Sequence, residues 1–229
     1  MRKLSILIPA YNEASTLAAL VERVRTVELP LEREIILVDD GSTDGTADIA
    51  RSLADSATRV LFHERNRGKG AALRTALAQA NGDFVLVQDA DLEYDPKDYA
   101  RLLEPLLDGR ADAVYGSRFL GGPHRVLLFW HYLGNAFFTL LTNLLYNVNL
   151  TDMGVCYKAF RTEALRAIPL ESDRFGFEPE VTAKACKRRL RLYEVPISYS
   201  GRTYAEGKKI TWKDGLTYLW CLLRYRIAD

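Results

Sequence analysis

Runs of β-branched and aliphatic residues at positions 4–8, 35–38, 60–63 and 84–88, with a shorter one at 113–115, alternate with helical patterns, and this alternation restricts the fold more than any other property. Positions 13–27 put Leu17, Leu20, Val21 and Val24 on one helical face, and 44–53 and 68–80 are rich in helix formers. Strands and helices of this size build βαβ units, hence a mostly parallel sheet flanked by helices. The expected fold class is therefore α/β, a Rossmann-like single domain over residues 1–229, since no repeat, low-complexity tract or long linker divides the chain. Ligands of such sheets bind outside the carboxyl ends of the strands.

The polar clusters fall at those ends. Pro9-Ala10-Tyr11-Asn12-Glu13 follows the first strand, Asp39-Asp40-Gly41-Ser42 the second and Asp89-Ala90-Asp91-Leu92-Glu93 the fourth. In extended backbone the alternate carboxylates of Asp89, Asp91 and Glu93 project to one side. Three like charges together call for a cation, and hard oxygen ligands select Mg²⁺ or Mn²⁺. An EF-hand is a poor alternative, with Tyr94 where the loop needs Gly and Ala100 where it needs Glu; a solvated acidic turn is the plain one. Asp39 and Asp40 can accept from a base N–H or a ribose hydroxyl, or simply belong to a turn, while Asp44 reads as a helix cap.

Asn66-Arg67-Gly68-Lys69-Gly70 precedes a helix, so its amides and Lys69 could meet a diphosphate, although it is neither a Walker loop nor a dinucleotide fingerprint. Arg118, after the fifth strand, is a better single phosphate contact, with a plain surface arginine as the alternative.

Charge is unevenly spread: residues 1–120 hold 15 basic and 20 acidic side chains, and 121–229 hold 16 and 10. This suits a metal site in the first part and an anionic partner in the second, or mere solvation. The basic residues of the last third carry no nucleic-acid motif, so no nucleic-acid partner is expected; lipid phosphate or a diphosphate suits the loop with Arg202, Lys208 and Lys209 better. The three cysteines, Cys156, Cys186 and Cys221, lack metal-ligand spacing and read as free thiols in a reducing compartment. The opening segment is too short for a secretory signal, so a cytoplasmic location is expected.

Residues 126–148 are mostly apolar and long enough to span a bilayer, but His131, Asn135, Thr139, Thr142 and Tyr146 recur every three or four positions. That is an interfacial or packed amphipathic helix, and 216–226, with Tyr218, Trp220, Arg224, Tyr225 and Arg226, has the same character. Both are equally readable as core helices.

Together these motifs, with Ile8-Pro9, Val38-Asp39, Gly116-Ser117-Arg118-Phe119, Thr151-Asp152-Met153-Gly154, Cys156-Tyr157-Lys158 and Glu206-Gly207-Lys208-Lys209-Ile210, resemble the family 2 glycosyltransferases of GT-A fold, in the branch of dolichyl-phosphate mannose synthase and related polyprenyl-phosphate sugar transferases. The resemblance covers nearly the whole chain. It implies a nucleoside-diphosphate sugar donor such as GDP-mannose or UDP-glucose, a nucleotide and metal half at 1–120, and an acceptor and membrane-facing half at 121–229. Pro9, Tyr11, Glu13 and Asp40 would hold the nucleoside, and Ala10, Asn12, Asp39, Lys69 and Ala90 are further candidates for the donor site. Asp89, Asp91 and Glu93 would hold the metal, where relatives often have Gln at the third position, and Arg118 would hold phosphate. Some relatives have an arginine where this chain has His131, with Arg125 or Arg202 as substitutes and Lys208 beside them.

Transfer would invert the anomeric centre. A lipid-phosphate acceptor needs no base; a sugar hydroxyl would need one, Asp152 or Glu178 first. Without C-terminal membrane helices, membrane contact is expected to be peripheral. A nucleotidyltransferase would carry a glycine-rich basic loop after strand one, and a non-catalytic sugar-nucleotide or membrane-adaptor protein would not need the full acidic set.

Overall fold

A computed structural model describes residues 2–126, 128–203, 206–207 and 212–228, apart from the side chains of Trp212 and Lys213. Among these, seven strands form one sheet: β1 (Lys3–Ala10), β2 (Glu32–Asp39), β3 (Thr58–Phe62), β4 (Phe84–Val87), β5 (Ala113–Ser117), β6 (Lys158–Arg161) and β7 (Leu192–Pro196). Their order is β3-β2-β1-β4-β6-β5-β7, parallel throughout except that β6 runs against both β4 and β5. The central strands are continuous apolar runs because helices cover both faces: Ile6, Leu7, Ile8, Leu37, Val38 and Val85 to Val87 are all buried. Helix α1 (Leu17–Thr26) buries Leu17, Leu20, Val21 and Val24 as its spacing predicts, each worth on the order of 1.5–3 kcal/mol. Helices α2 (Thr46–Ser52), α3 (Lys69–Gln79), α4 (Tyr99–Leu107), α6 (Thr162–Arg166) and α7 (Phe177–Lys187) complete the layers.

The reversed β6 has a functional consequence. Its first residue, Lys158, pairs with Tyr115 near the carboxyl end of β5, so the loop before β6 opens at the same edge as the loops after β1, β2, β4 and β5. β7, parallel to β5, delivers residues 197–203 there as well.

Helix α5 (Phe129–Tyr146) turns its polar stripe inward: Thr139 and Thr142 are buried and His131, Asn135 and Tyr146 half-buried. Phe138, Leu141 and Leu145 pack towards the core, while Phe129, Trp130, Leu133, Phe137, Leu140 and Leu144 face out, Trp130 76% and Leu144 73% exposed. Helix α8 (Trp212–Ile227) packs on it through Phe138 and Tyr218, whose rings stand edge to face at 5.5 Å, and Tyr146 Oη donates to the Leu222 carbonyl at 2.7 Å. It too leaves Leu216, Trp220, Leu223 and Ile227 exposed. Exposed large apolar side chains gathered on two packed helices suit an interaction face. No helix among the described residues is long and apolar enough to cross a membrane.

Candidate functional site

At the β1–β2 end, the two consecutive aspartates play different parts. Asp40 Oδ1 accepts the Arg67 amide at 3.0 Å and lies 2.6 Å from His63 Nδ1, while Oδ2 accepts the Gly68 amide at 2.7 Å. The amides of Gly70 and Ala71 donate to the carbonyls of Arg174 and Asp173. The 66–70 loop is therefore not the open diphosphate cradle its sequence suggested, because a buried carboxylate and a neighbouring loop take its N–H groups. Asp39 Oδ2 accepts the Ser42 amide at 3.2 Å, but Oδ1 is buried with no partner. An unsatisfied buried acceptor costs about 1–3 kcal/mol, so this oxygen suits a donor brought by a ligand. The two loops meet at Gly41, at φ +69°, where a Cβ would lie 2.5 Å from the Arg65 backbone.

Around them, Pro9 and the buried Ala10 end β1, and the Tyr11 ring sits at the rim, 36% exposed. Asn12 fastens the first loop to the second: its amide donates to Ser42 Oγ at 2.9 Å and its Oδ1 accepts the Thr43 amide at 2.8 Å. Asp44, read from sequence as a helix cap, instead precedes the capping residue Gly45 of α2, where its carboxylate accepts the Thr46 amide at 3.1 Å and the Thr46 hydroxyl at 2.5 Å.

The fourth-strand cluster does not run on as extended chain; it bends through residues 90–94, and its carboxylates take different partners, Asp89 meeting Lys69 while Asp91 and Glu93 meet Arg202. Asp89 pairs with Lys69 Nζ at 2.7 Å, and the same ammonium reaches Glu178 at 2.8 Å and Cys156 Sγ at 3.0 Å. Asp91 pairs with Arg202 at 2.7 Å, and that guanidinium also contacts Glu13 at 3.2 Å and Glu93 at 3.4 Å. Ala90 offers its carbonyl to Thr16 Oγ1 at 3.0 Å. Burial, with the charges of Asp89 and Glu93 adding to it, pushes the Asp91 carboxyl up to about 7 against the opposing pull of Arg202. Burial also opposes ionisation of Asp89, but the Lys69 ammonium and the Cys156 hydrogen bond outweigh it and leave that carboxyl below its ordinary value.

Among the described residues, no three carboxylate, imidazole or thiol side chains converge as a ready-made metal cage. Among the described residues, Asp89 shares Lys69 with Glu178, and Glu13, Asp91 and Glu93 share Arg202. Burial, with the charges of Asp89 and Glu93, disfavours the ionised Asp91 despite Arg202, and a bound divalent cation would relieve that. The donor set fits a hard divalent cation.

Across the edge, Arg118 Nε and Nη2 form a two-pronged pair with the fully buried Asp152 at 2.6 and 2.7 Å. Asn135 of α5 joins them, donating to Asp152 Oδ1 at 3.0 Å, and the Thr151 and Asp152 amides donate to Glu194 of β7. Gly154 fits because a Cβ there would lie 2.5 Å from Asn135 Oδ1. Lys158, whose pKa burial lowers to about 8, clamps this loop by donating to the carbonyls of Met153 and Val155. Both oxygens of Asp152 are thus engaged by Arg118 and Asn135. Glu178, the other base named from sequence, is buried against Lys69, with Oε2 lacking a partner.

His131 lies one turn from Asn135 on α5. Arg125 is turned to Glu206, at 3.0 Å, and to the Gly201 carbonyl. Lys208 lies outside the described residues. Tyr199 had no local signal, yet it connects the two parts of the site: its hydroxyl donates to Glu93 at 2.8 Å and its ring lies 5.0 Å from the Arg118 guanidinium. His63 ends a predicted strand, and the strand-end rule applied to it would have found it. The three cysteines are free.

Comparison with known proteins gives the chain's family and fold relatives. The profile of Glycosyl transferase family 2 matches residues 5–168. The chain is similar to the undecaprenyl-phosphate mannosyltransferase of Micrococcus luteus, 34% identical over 223 residues that cover 91% of this chain and 87% of that one. It is also similar to the dodecaprenyl-phosphate galacturonate synthase of Rhizobium johnstonii, 29% identical across 90% of this chain but 61% of the relative. Glycosyltransferase AglJ of Haloferax volcanii is 31% identical across 86% of this chain and 63% of its own length. In fold the chain is similar to glucosyl-3-phosphoglycerate synthase of Mycobacterium tuberculosis, crystallised with Mn²⁺, UDP-glucose and phosphoglyceric acid, with a TM-score of 0.77 at 23% identity over 100% of this chain and 81% of that one.

Proposed function

The chain belongs to glycosyl transferase family 2, and from that premise we propose that it transfers a hexose from a nucleoside-diphosphate sugar to a polyprenyl phosphate, inverting the anomeric centre, while seated peripherally on the cytoplasmic face of a membrane. The observation that carries this reading is helix α5: its inner face places Asn135 in the Arg118–Asp152 cluster, and its outer face is an exposed apolar surface. One element therefore joins a phosphate-binding arginine to a surface suited to acyl chains.

The geometry supports the following division of labour. Asp39 Oδ1 takes a donor from the nucleoside, beside Pro9, Ala10 and Tyr11. Asp91 with Asp89 would hold Mg²⁺ or Mn²⁺, which when bound supplies Lewis-acid stabilisation of the departing diphosphate. Arg118 and His131 receive the acceptor phosphate, and Arg202 faces the donor diphosphate. The phosphate oxygen is already anionic near neutral pH and needs no base, in keeping with the engagement of Asp152 by Arg118 and Glu178 by Lys69.

The test is nucleoside-diphosphate release from UDP- and GDP-sugars with Mg²⁺ or Mn²⁺, with and without a short polyprenyl phosphate. Stimulation by that phosphate from one donor is the expected result; stimulation only by a sugar hydroxyl acceptor overturns the acceptor assignment. For the membrane face, Leu140→Asp with Leu144→Asp should abolish co-sedimentation with anionic vesicles, and unchanged sedimentation would refute that placement.

A further inference from the structure

We propose that Glu93 anchors the 198–203 segment and is not a ligand of the cation, and that Arg202, carried by this segment, is the resident counter-ion of the acidic cluster, which the divalent ion displaces. The inference rests on the donor reading above, but it assigns Glu93 differently from the motif.

Several hydrogen bonds from the segment converge on this one residue. The Glu93 carbonyl accepts the Ser200 amide at 2.8 Å, Oε2 accepts the Tyr199 hydroxyl at 2.8 Å, and Oε1 accepts the Arg202 amide at 2.7 Å. Ser198 fixes the start of the segment through its amide and hydroxyl, both donating to Asp98 Oδ2 at 2.8 and 2.6 Å. Both carboxylate oxygens of Glu93 are therefore taken by the segment. A glutamine here would keep one acceptor but turn its NH₂ towards a donor, so the carboxylate suits anchoring.

The guanidinium of Arg202 meanwhile lies among Glu13, Asp91 and Glu93, with Nη2 bonded to Asp91 and Glu13 at once. An ion on Asp91 and the guanidinium are like charges drawing on the same oxygens, so the ion binds only as Arg202 withdraws. The displaced guanidinium, a planar fork of N–H donors, stays tethered at Glu93 where a diphosphate would lie.

The experiment is direct titration of the full chain with Mn²⁺, followed by calorimetry or the Mn²⁺ electron spin resonance signal, with and without UDP or GDP. Removing the competing charge in Arg202→Gln should tighten binding of Mn²⁺ alone by about tenfold, roughly 1.4 kcal/mol, while weakening binding of the nucleotide with Mn²⁺. Arg202→Lys, which keeps the charge, should stay near the native Mn²⁺ affinity and serves if the glutamine variant folds poorly. Glu93→Gln should retain or tighten Mn²⁺ binding and speed tryptic cleavage after Arg202. Loss of Mn²⁺ affinity in a folded Glu93→Gln would restore Glu93 as a ligand and overturn the assignment. Unchanged or weaker Mn²⁺ binding by Arg202→Gln, or an Arg202→Lys that binds as tightly as the glutamine variant, would overturn the displacement. A native chain that binds Mn²⁺ but neither nucleotide sinks the transferase reading instead, and the comparison with Mn²⁺ alone still decides this one.

Discussion

Asp91→Asn removes donor turnover, by on the order of 10³-fold if the lost group acts like other electrostatic stabilisers of a departing charge, and at the same time raises the melting temperature of the metal-free protein. The second effect follows from the pKa. In the fold, the Asp91 carboxyl sits at about 7, above its ordinary value of 3.8. Its contribution is fully favourable below the unfolded pKa and is lost as pH rises through about 7, so at pH 8 the ionised group destabilises the fold. At about 1.4 kcal/mol per pKa unit, the penalty is on the order of a few kcal/mol. Asparagine has the same shape and no charge, although it gives up part of the Arg202 contact. Thermal melts should show the variant's advantage at pH 8 shrinking at pH 5.5, with added Mn²⁺ stabilising only the native chain. A well-folded Asp91→Asn with near-normal turnover would rule out the metal assignment.

Asp152→Ala acts in the opposite direction on stability. It leaves the Arg118 guanidinium, 16% exposed at its side chain, without its partner, and breaking a buried pair from one side costs about 3–5 kcal/mol. Activity should fall as well, because Arg118 loses the contacts that aim it. Stability and positioning separate in the double variant Arg118→Met with Asp152→Leu. Replacing both charges by apolar groups of similar volume should recover much of the lost melting temperature, while acceptor-stimulated turnover stays low. Recovery of turnover along with stability would show that the pair only holds the fold. In Arg118→Lys the two-pronged geometry is lost but the charge remains, so the acceptor KM should rise more than kcat falls.

Legibility differed between the two halves of the site. Clusters that follow a strand directly, at Pro9, Asp39, Asp89 and Arg118, could be placed on the sheet edge from hydrophobic runs alone, because in a parallel sheet every strand ends at the same edge. What those side chains touch could not be read in the same way. Asp39 and Asp40 are adjacent and chemically identical, yet one is bonded to His63 and the Arg67–Gly68 amides and the other has an oxygen without a partner. That distinction depends on a loop about 25 residues away in sequence (|i−j| = 23, 27 and 28). Helix α7 carries no stripe because Phe177 to Ala185 are buried on all sides, and β6 is four residues beginning with a lysine, so neither shows a periodicity to detect.

The amino-acid sequence alone determined the α/β class, the strand-end positions of Glu13, Asp39, Asp40, Asp89, Asp91 and Arg118, and the amphipathic character of α5. Local patterns suffice for these, since apolar periodicity sets where each element starts and stops. Tertiary structure decided the direction of β6, which brings Asp152 to Arg118 from 34 residues away, and the return of Arg202 to Asp91 across 111 residues. It also decided that α5 faces its polar stripe inward. These are questions of which charges and donors meet when distant segments pack, and a buried charge takes whichever partner the fold brings within reach.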